Sequence, residues 1–169
     1  MSLRRLIIVS FFFLSFFANI FADGSVRGWI ILSDNMERAI RTIKTAKEYN
    51  INQLQLSHEI IHDLKAIKEE KVCEQVNKLI RLAHLEGIDE VLLWDHSLYS
   101  LDYYPSCFRT GPNGTINLDN PKFWEWFKDD YRRMLNRAPE ADGLVLTFIE
   151  TGAYAEKQYS MNMKTPEEK

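Results

Sequence analysis

Cysteine is scarce in this 169-residue chain: it has two, and neither belongs to a Cys-x-x-Cys pair. Structural zinc sites and disulfide frameworks need more cysteines at characteristic spacings, so neither is expected. An excess of one charge is also lacking, because 21 basic and 24 acidic residues are interleaved and give a net charge of −3. No basic block is present, so nucleic-acid binding is not expected.

A glycine-rich phosphate turn is missing as well. In doubly wound nucleotide-binding proteins such a turn follows the first strand. Here the first predicted strand, residues 26–32, is followed by Ser33, Asp34 and Asn35. This sequence argues against a dinucleotide-binding fold, and we expect neither a cofactor nor a bound metal.

Residues 1–22 resemble a secretory signal. Arg4 and Arg5 form a basic start, an apolar segment covers residues 6–17, and Ala22 offers a small residue for cleavage before Asp23. The apolar segment is short for a membrane span. We therefore predict a secreted or periplasmic mature protein with no membrane partner after cleavage.

Strand and helix signals alternate along residues 23–169. Strands are predicted at 26–32, 51–56 and 90–94, and a fourth begins after Asp142-Gly143. Capping signals at Asp34 with Glu37 and at Asn120-Pro121 start two of the three intervening helices, and Gly87 ends the other one. This order predicts an α/β fold with parallel strands in chain order and helices on one face.

We interpret residues 23–169 as one domain, a partial (β/α)8 barrel of about four βα units, since eight units complete such a barrel. Residues 165–168 spell Thr-Pro-Glu-Glu, a helix start, which predicts that the domain is truncated at the C-terminus. Uncovered strand edges would then favour self-association. We expect the isolated chain to be inactive.

The strongest functional signal is Glu150. The apolar run at residues 144–149 ends on this carboxylate, with Gly152 close behind. In βα barrels the carboxyl ends of the strands display reacting groups. A glycosidase needs a carboxylic acid that protonates the leaving oxygen and a second carboxylate as base or nucleophile. Glu150 is the predicted acid, and the alternative is that it caps a turn.

Five further residues are predicted to bind substrate. They are His58 after the second strand, Asp95 and His96 after the third, and Tyr103 and Arg109 in the long loop of residues 95–120. Imidazoles suit sugar hydroxyls. An aromatic face with an arginine suits a sugar ring that carries a carboxylate. A carbohydrate is therefore the expected partner.

Residues 120–152 (NPKFWEWFKDDYRRMLNRAPEADGLVLTFIETG), with LQLSHEI and LLWDHS before them, resemble the N-terminal half of the catalytic barrel in glycoside hydrolases related to alpha-glucuronidases. In that family a strand ending in a Ser-Glu-Gly-like triplet carries the general acid. The matching position here is Glu150, preceded by Ile149 where the family has serine. The resemblance implies a secreted enzyme that hydrolyses O-glycosidic bonds of uronic-acid-bearing sugars, whose base carboxylates have no counterpart in this chain.

Two other interpretations stay open. One is a metal-dependent, sugar-isomerase-like barrel in which His58, His96 and Glu150 ligate a divalent cation. The other is a non-catalytic, carbohydrate-binding half barrel.

Overall fold

The computed structural model describes residues 25–33, 35–98, 101–109, 116–147 and 158–159. The predicted signal segment, Asp34, Glu150 and the Thr-Pro-Glu-Glu sequence at 165–168 lie outside these residues.

The described chain alternates strands with helices. Its strands are β1 (Gly28–Ile31), β2 (Gln53–Leu56), β3 (Glu90–His96), β4 (Ile116–Asn117), β5 (Gly143–Thr147) and β6 (Gln158–Tyr159). Its α-helices are α1 (Met36–Ala46), α2 (Glu70–Leu85) and α3 (Pro121–Leu135). Short 3-10 turns occupy Lys47–Tyr49, Leu64–Lys68, Leu101–Tyr103 and Ser106–Phe108. None of the described helices is long and apolar enough to cross a membrane.

The main sheet has four parallel strands in the order β1-β2-β3-β5. The predicted α/β class and the parallel, sequential strand order are confirmed, with β5 as the predicted fourth strand. One row across the sheet joins Ile31, Leu56, Leu93 and Leu144. β4 and β6 form a separate two-stranded parallel sheet.

One face of the main sheet is covered by helices. Alternate strand residues such as Leu54, Leu56, Val91 and Leu93 are fully buried and share one core with residues from all three helices. The residues between them face the other way, because side chains alternate along a strand. Ile30, in the latter set, is 50% exposed. The helices therefore pack on the same side of the sheet.

Side-chain caps fix the helix starts. The Asn35 side chain accepts from the backbone N–H of Arg38 at 3.1 Å, so the predicted cap at Asp34 is wrong by one residue. The predicted start of α3 is confirmed: Asn120 accepts from the N–H of Lys122 at 3.0 Å, and Pro121 follows. Gly87, with φ +85°, follows the end of α2 in the left-handed conformation that favours glycine.

The third strand is longer than predicted. Its predicted end at Trp94 is wrong, because β3 continues through Asp95 and His96, which pair with Leu146 and Thr147 of β5. Asp95 and His96 are therefore strand residues, and their side chains point to opposite faces of the sheet.

A second, smaller core lies beside α3. It joins Leu98, Tyr104, Ile116, Leu118 and Phe123, and it packs part of the long loop against α3. Cys73 is buried on α2 and Cys107 is exposed in the loop, and both are free thiols. The loop is thus anchored by aromatic packing.

Candidate functional site

Three of the four histidines of the chain meet at the carboxyl ends of β2 and β3. The ring centroids of His62 and His96 lie 4.2 Å apart, and the His58 ring lies 6.1 Å from His62 and 5.9 Å from His96. Trp94 of β3 places its ring 5.4 Å from His58. We call His58, His62 and His96 the imidazole cluster.

His58 reaches this cluster through an unusual backbone conformation. Its φ is +46°, in the left-handed region that non-glycine residues seldom occupy. The buried Ser57 hydroxyl lies 2.5 Å from His58 Nδ1. Such conformations cost free energy and are concentrated at functional sites. The turn after β2 thus presents an exposed imidazole beside Trp94.

His96 is more deeply buried than His58. It is 6% exposed, and its Nδ1 lies 3.0 Å from the carbonyl oxygen of His62. When Nδ1 carries the proton and donates to that carbonyl, Nε2 carries the lone pair. The Trp94 indole N–H, which can only donate, lies 3.3 Å from Nδ1 and 3.5 Å from Nε2. In this tautomer Nε2 is the acceptor that faces the indole.

A carboxylate adjoins the cluster. Asp63 Oδ1 lies 3.3 Å from His62 Nδ1, and Asp63 Oδ2 lies 3.0 Å from Lys65 Nζ. Ligand atoms of His62, Asp63 and His96 all lie within 4.8 Å of one another. Among the described residues, these three form the group that could hold a metal ion.

Asp95 points away from the cluster, toward the helices. It is 4% exposed, and its oxygens accept from Leu64 N at 2.6 Å, from Ser97 Oγ at 2.8 Å and from the Tyr131 hydroxyl. Burial, followed by the Asp95 charge, raises the pKa of Tyr131 far above its usual range. We predicted that Asp95 binds substrate. Because protein donors occupy its carboxylate, we assign it instead the role of joining β3 to α3.

Tyr103 takes part in a second buried network. Its hydroxyl donates to Asp130 of α3, which also accepts from Lys68 at 2.7 Å and from Arg133 at 3.0 Å. Burial alone would raise the pKa of Asp130, but these hydrogen bonds outweigh it and lower that pKa. Burial, together with Asp130, raises the pKa of Tyr103. Asp95, His96 and Tyr103 line one cavity of about 10 Å³, room for at most one water molecule.

Arg109 does not reach the strand ends. Its Nε and Nη2 donate to the Tyr104 carbonyl at 3.2 and 3.0 Å, and Nη1 lies 3.2 Å from Asp102. Its guanidinium therefore stabilises the loop that carries it. Of the predicted binding residues, the structure brings His58 and His96 together at the carboxyl ends of the strands, with His58 exposed and His96 buried.

Sequence reasoning missed three members of the site, namely His62, Asp63 and Trp94. A signal was present, because residues 58–62 read His-Glu-Ile-Ile-His. On a helix this spacing places two histidines on one face, as in zinc hydrolases. Here residues 58–62 form a turn and not a helix. A metal ion bound here would therefore need a different set of ligands from that of the helical motif.

No protein-family model matches the chain, and neither a curated protein nor a solved structure is significantly similar to it. The geometry at the strand ends is therefore what indicates a function for this chain.

Proposed function

We propose that this chain forms four βα units of an exported (β/α)8-barrel glycoside hydrolase that cleaves O-glycosidic bonds. Support comes from the sheet: four parallel strands in chain order, with helices on one face, are what such a barrel repeats. The other face carries Ile30, which is half exposed. An inward-facing barrel residue would be exposed in this way where the remaining strands do not cover it.

The observation that carries the proposal is the position of the imidazole cluster with Trp94. All four side chains stand at the carboxyl ends of β2 and β3, the end at which barrel enzymes bind substrate. An indole face beside exposed imidazoles suits a sugar, because the ring can stack on the indole while hydroxyls exchange hydrogen bonds with His58. The substrate class, uronic-acid-bearing sugars, is proposed from the resemblance to alpha-glucuronidase relatives.

Glu150 is proposed as the general acid. β5 ends at Thr147, which pairs with His96, and Glu150 follows three residues later. β5 itself ends at the same edge of the sheet as the imidazole cluster, because Thr147 pairs with His96. The acid role of Glu150 is proposed from its place in the sequence, shortly after this strand, and from the family resemblance.

Sugar binding by the full chain tests the proposal without requiring turnover. Calorimetric titration with a glucuronic-acid-bearing oligosaccharide should show binding, and Trp94→Ala should weaken it by about fivefold or more. Tyr49→Ala is the matched control, because Tyr49 is an exposed aromatic residue that precedes β2, at the opposite end of the strands. No binding, or equal loss in the two variants, would contradict the proposal.

A metal-dependent sugar isomerase is the second candidate function. The closeness of His62, Asp63 and His96 favours it, although the predicted ligand set was His58, His96 and Glu150. A hydrolase with a carboxylic acid needs no metal for turnover, whereas the isomerase would lose activity in a chelator. A non-catalytic, carbohydrate-binding half barrel would bind sugar but would show neither hydrolase nor isomerase activity.

A further inference from the structure

We propose that His62, Asp63 and His96 bind a divalent transition-metal ion at the carboxyl ends of the strands. The proposal goes beyond glycoside hydrolysis and does not depend on it. It also departs from our sequence-based expectation that no metal is bound. The observation behind it is that two imidazoles and one carboxylate, from the turn after β2 and the end of β3, place their ligand atoms within 4.8 Å of one another.

The donor set selects the class of ion. Imidazole nitrogen suits zinc, iron, copper and nickel, and two imidazoles with one carboxylate form a recurring ligand set for such metals. Calcium and magnesium prefer sites made entirely of oxygen ligands. Zinc is therefore the first ion to test, and calcium is not expected to compete.

The separations are close to those that a metal needs. Two ligands at about 2.1 Å from a tetrahedral zinc ion lie about 3.4 Å apart. His62 Nδ1 and Asp63 Oδ1 are 3.3 Å apart, which already matches this value. The widest pair of ligand atoms, at up to 4.8 Å, must approach by at most about 1.4 Å. The His62 side chain is 49% exposed, so it has room to rotate.

The neighbouring groups orient these ligands. The backbone carbonyl of His62 accepts from His96 Nδ1 at 3.0 Å, which directs the lone pair of His96 to Nε2, where a bound ion would replace the long contact from the Trp94 indole N–H at 3.5 Å. Metal-binding histidines commonly use their second nitrogen in this way. Lys65 contacts Asp63 Oδ2 at 3.0 Å, while Oδ1 faces His62, so Asp63 would ligate through one oxygen. The Lys65 charge opposes the ion, and binding has to overcome that repulsion.

Three protein ligands leave at least one coordination position for water or a substrate oxygen. His58, with its ring 6.1 Å from that of His62, is not a member of the ligand set and lies beside it. An ion here would be placed to polarise a sugar oxygen bound at the same strand ends.

Calorimetric titration of the full chain with a zinc salt alone tests the site. We expect one ion per chain, with affinity reduced at least about tenfold in His62→Ala and in Asp63→Asn. His84→Gln is the matched control: His84 contacts the carbonyls of Ile88 and Glu140, away from the cluster, and its loss should leave affinity unchanged. Absence of binding, full affinity in His62→Ala, or an equal loss in His84→Gln would overturn the proposal.

A cobalt titration provides a second readout that loss of folding would not imitate. Cobalt bound by imidazoles should give a visible absorption band that His62→Ala abolishes. Because His62 is exposed, this variant should keep the circular dichroism spectrum and melting temperature of the wild type. Neither measurement contains a sugar, so failure of the hydrolase proposal would not affect the result. A band that persists in His62→Ala would contradict the assignment.

Discussion

Tyr131→Phe removes one hydroxyl from the buried connection between β3 and α3. That hydroxyl contacts the Asp95 carboxylate and the Ser97 hydroxyl, and Asp95 is 4% exposed. A hydrogen bond to a buried charged group contributes about 1.5–3 kcal/mol, and phenylalanine keeps the ring packing. We therefore expect the free energy of unfolding to fall by about 1.5–3 kcal/mol. For a domain of this size the melting temperature should fall by about 3–12 °C.

Thermal and urea unfolding, followed by circular dichroism, measure this loss. Tyr49→Phe is the matched control, since Tyr49 is 60% exposed and removal of a surface hydroxyl should change the free energy by less than about 0.5 kcal/mol. Asp95 keeps its bonds from Leu64 and Ser97 in the variant, so the domain should still fold. Equal melting temperatures for the two variants would refute the structural role that we assign to Asp95.

Three further predictions concern stability and association. Burial raises the pKa of three tyrosines, Tyr103, Tyr104 and Tyr131, so their phenols stay protonated in the folded state at a pH where they ionise in the unfolded chain. The free energy of unfolding should therefore be at its full value below pH 10 and fall as the pH rises beyond it. Tyr131→Phe should make this fall less steep when urea unfolding is measured as a function of pH. Asn120→Ala should lower the free energy of unfolding by about 1 kcal/mol through loss of the α3 cap, and an unchanged urea midpoint would contradict this. Sedimentation should show self-association that Ile30→Lys reduces, because Ile30 exposes an apolar side chain on edge strand β1, and a monomeric wild type would contradict it.

The sheet order was predictable because local signals are strong and repeated. Apolar runs separated by amphipathic helices leave few ways to connect parallel strands, and short right-handed crossovers place them in chain order. Asn120-Pro121 correctly indicated the start of α3, and Gly87 the end of α2, because each acts on backbone groups within a few residues. Asp34 and Asn35 are both good caps, so the choice between them was not determined by the sequence.

The site was less predictable because it depends on the direction in which individual side chains point. Two extra residues of β3 decide that Asp95 points to the helices, where Tyr131, 36 positions later, contacts it. His62 enters the site through a turn whose left-handed residue, His58, follows no simple sequence rule. Arg109 donates to the carbonyl of Tyr104 in its own loop, a local contact that composition does not reveal.

The proposed acid role of Glu150 can be measured directly with two substrates. In a complete barrel enzyme that carries this strand, Glu150→Gln keeps the shape of the side chain but cannot donate a proton. Turnover of natural oligosaccharides should fall by about two to four orders of magnitude, because protonation of the leaving oxygen is lost. Aryl glycosides whose leaving group needs no protonation should be affected much less. Equal losses on both substrates, or unchanged activity on both, would contradict the account.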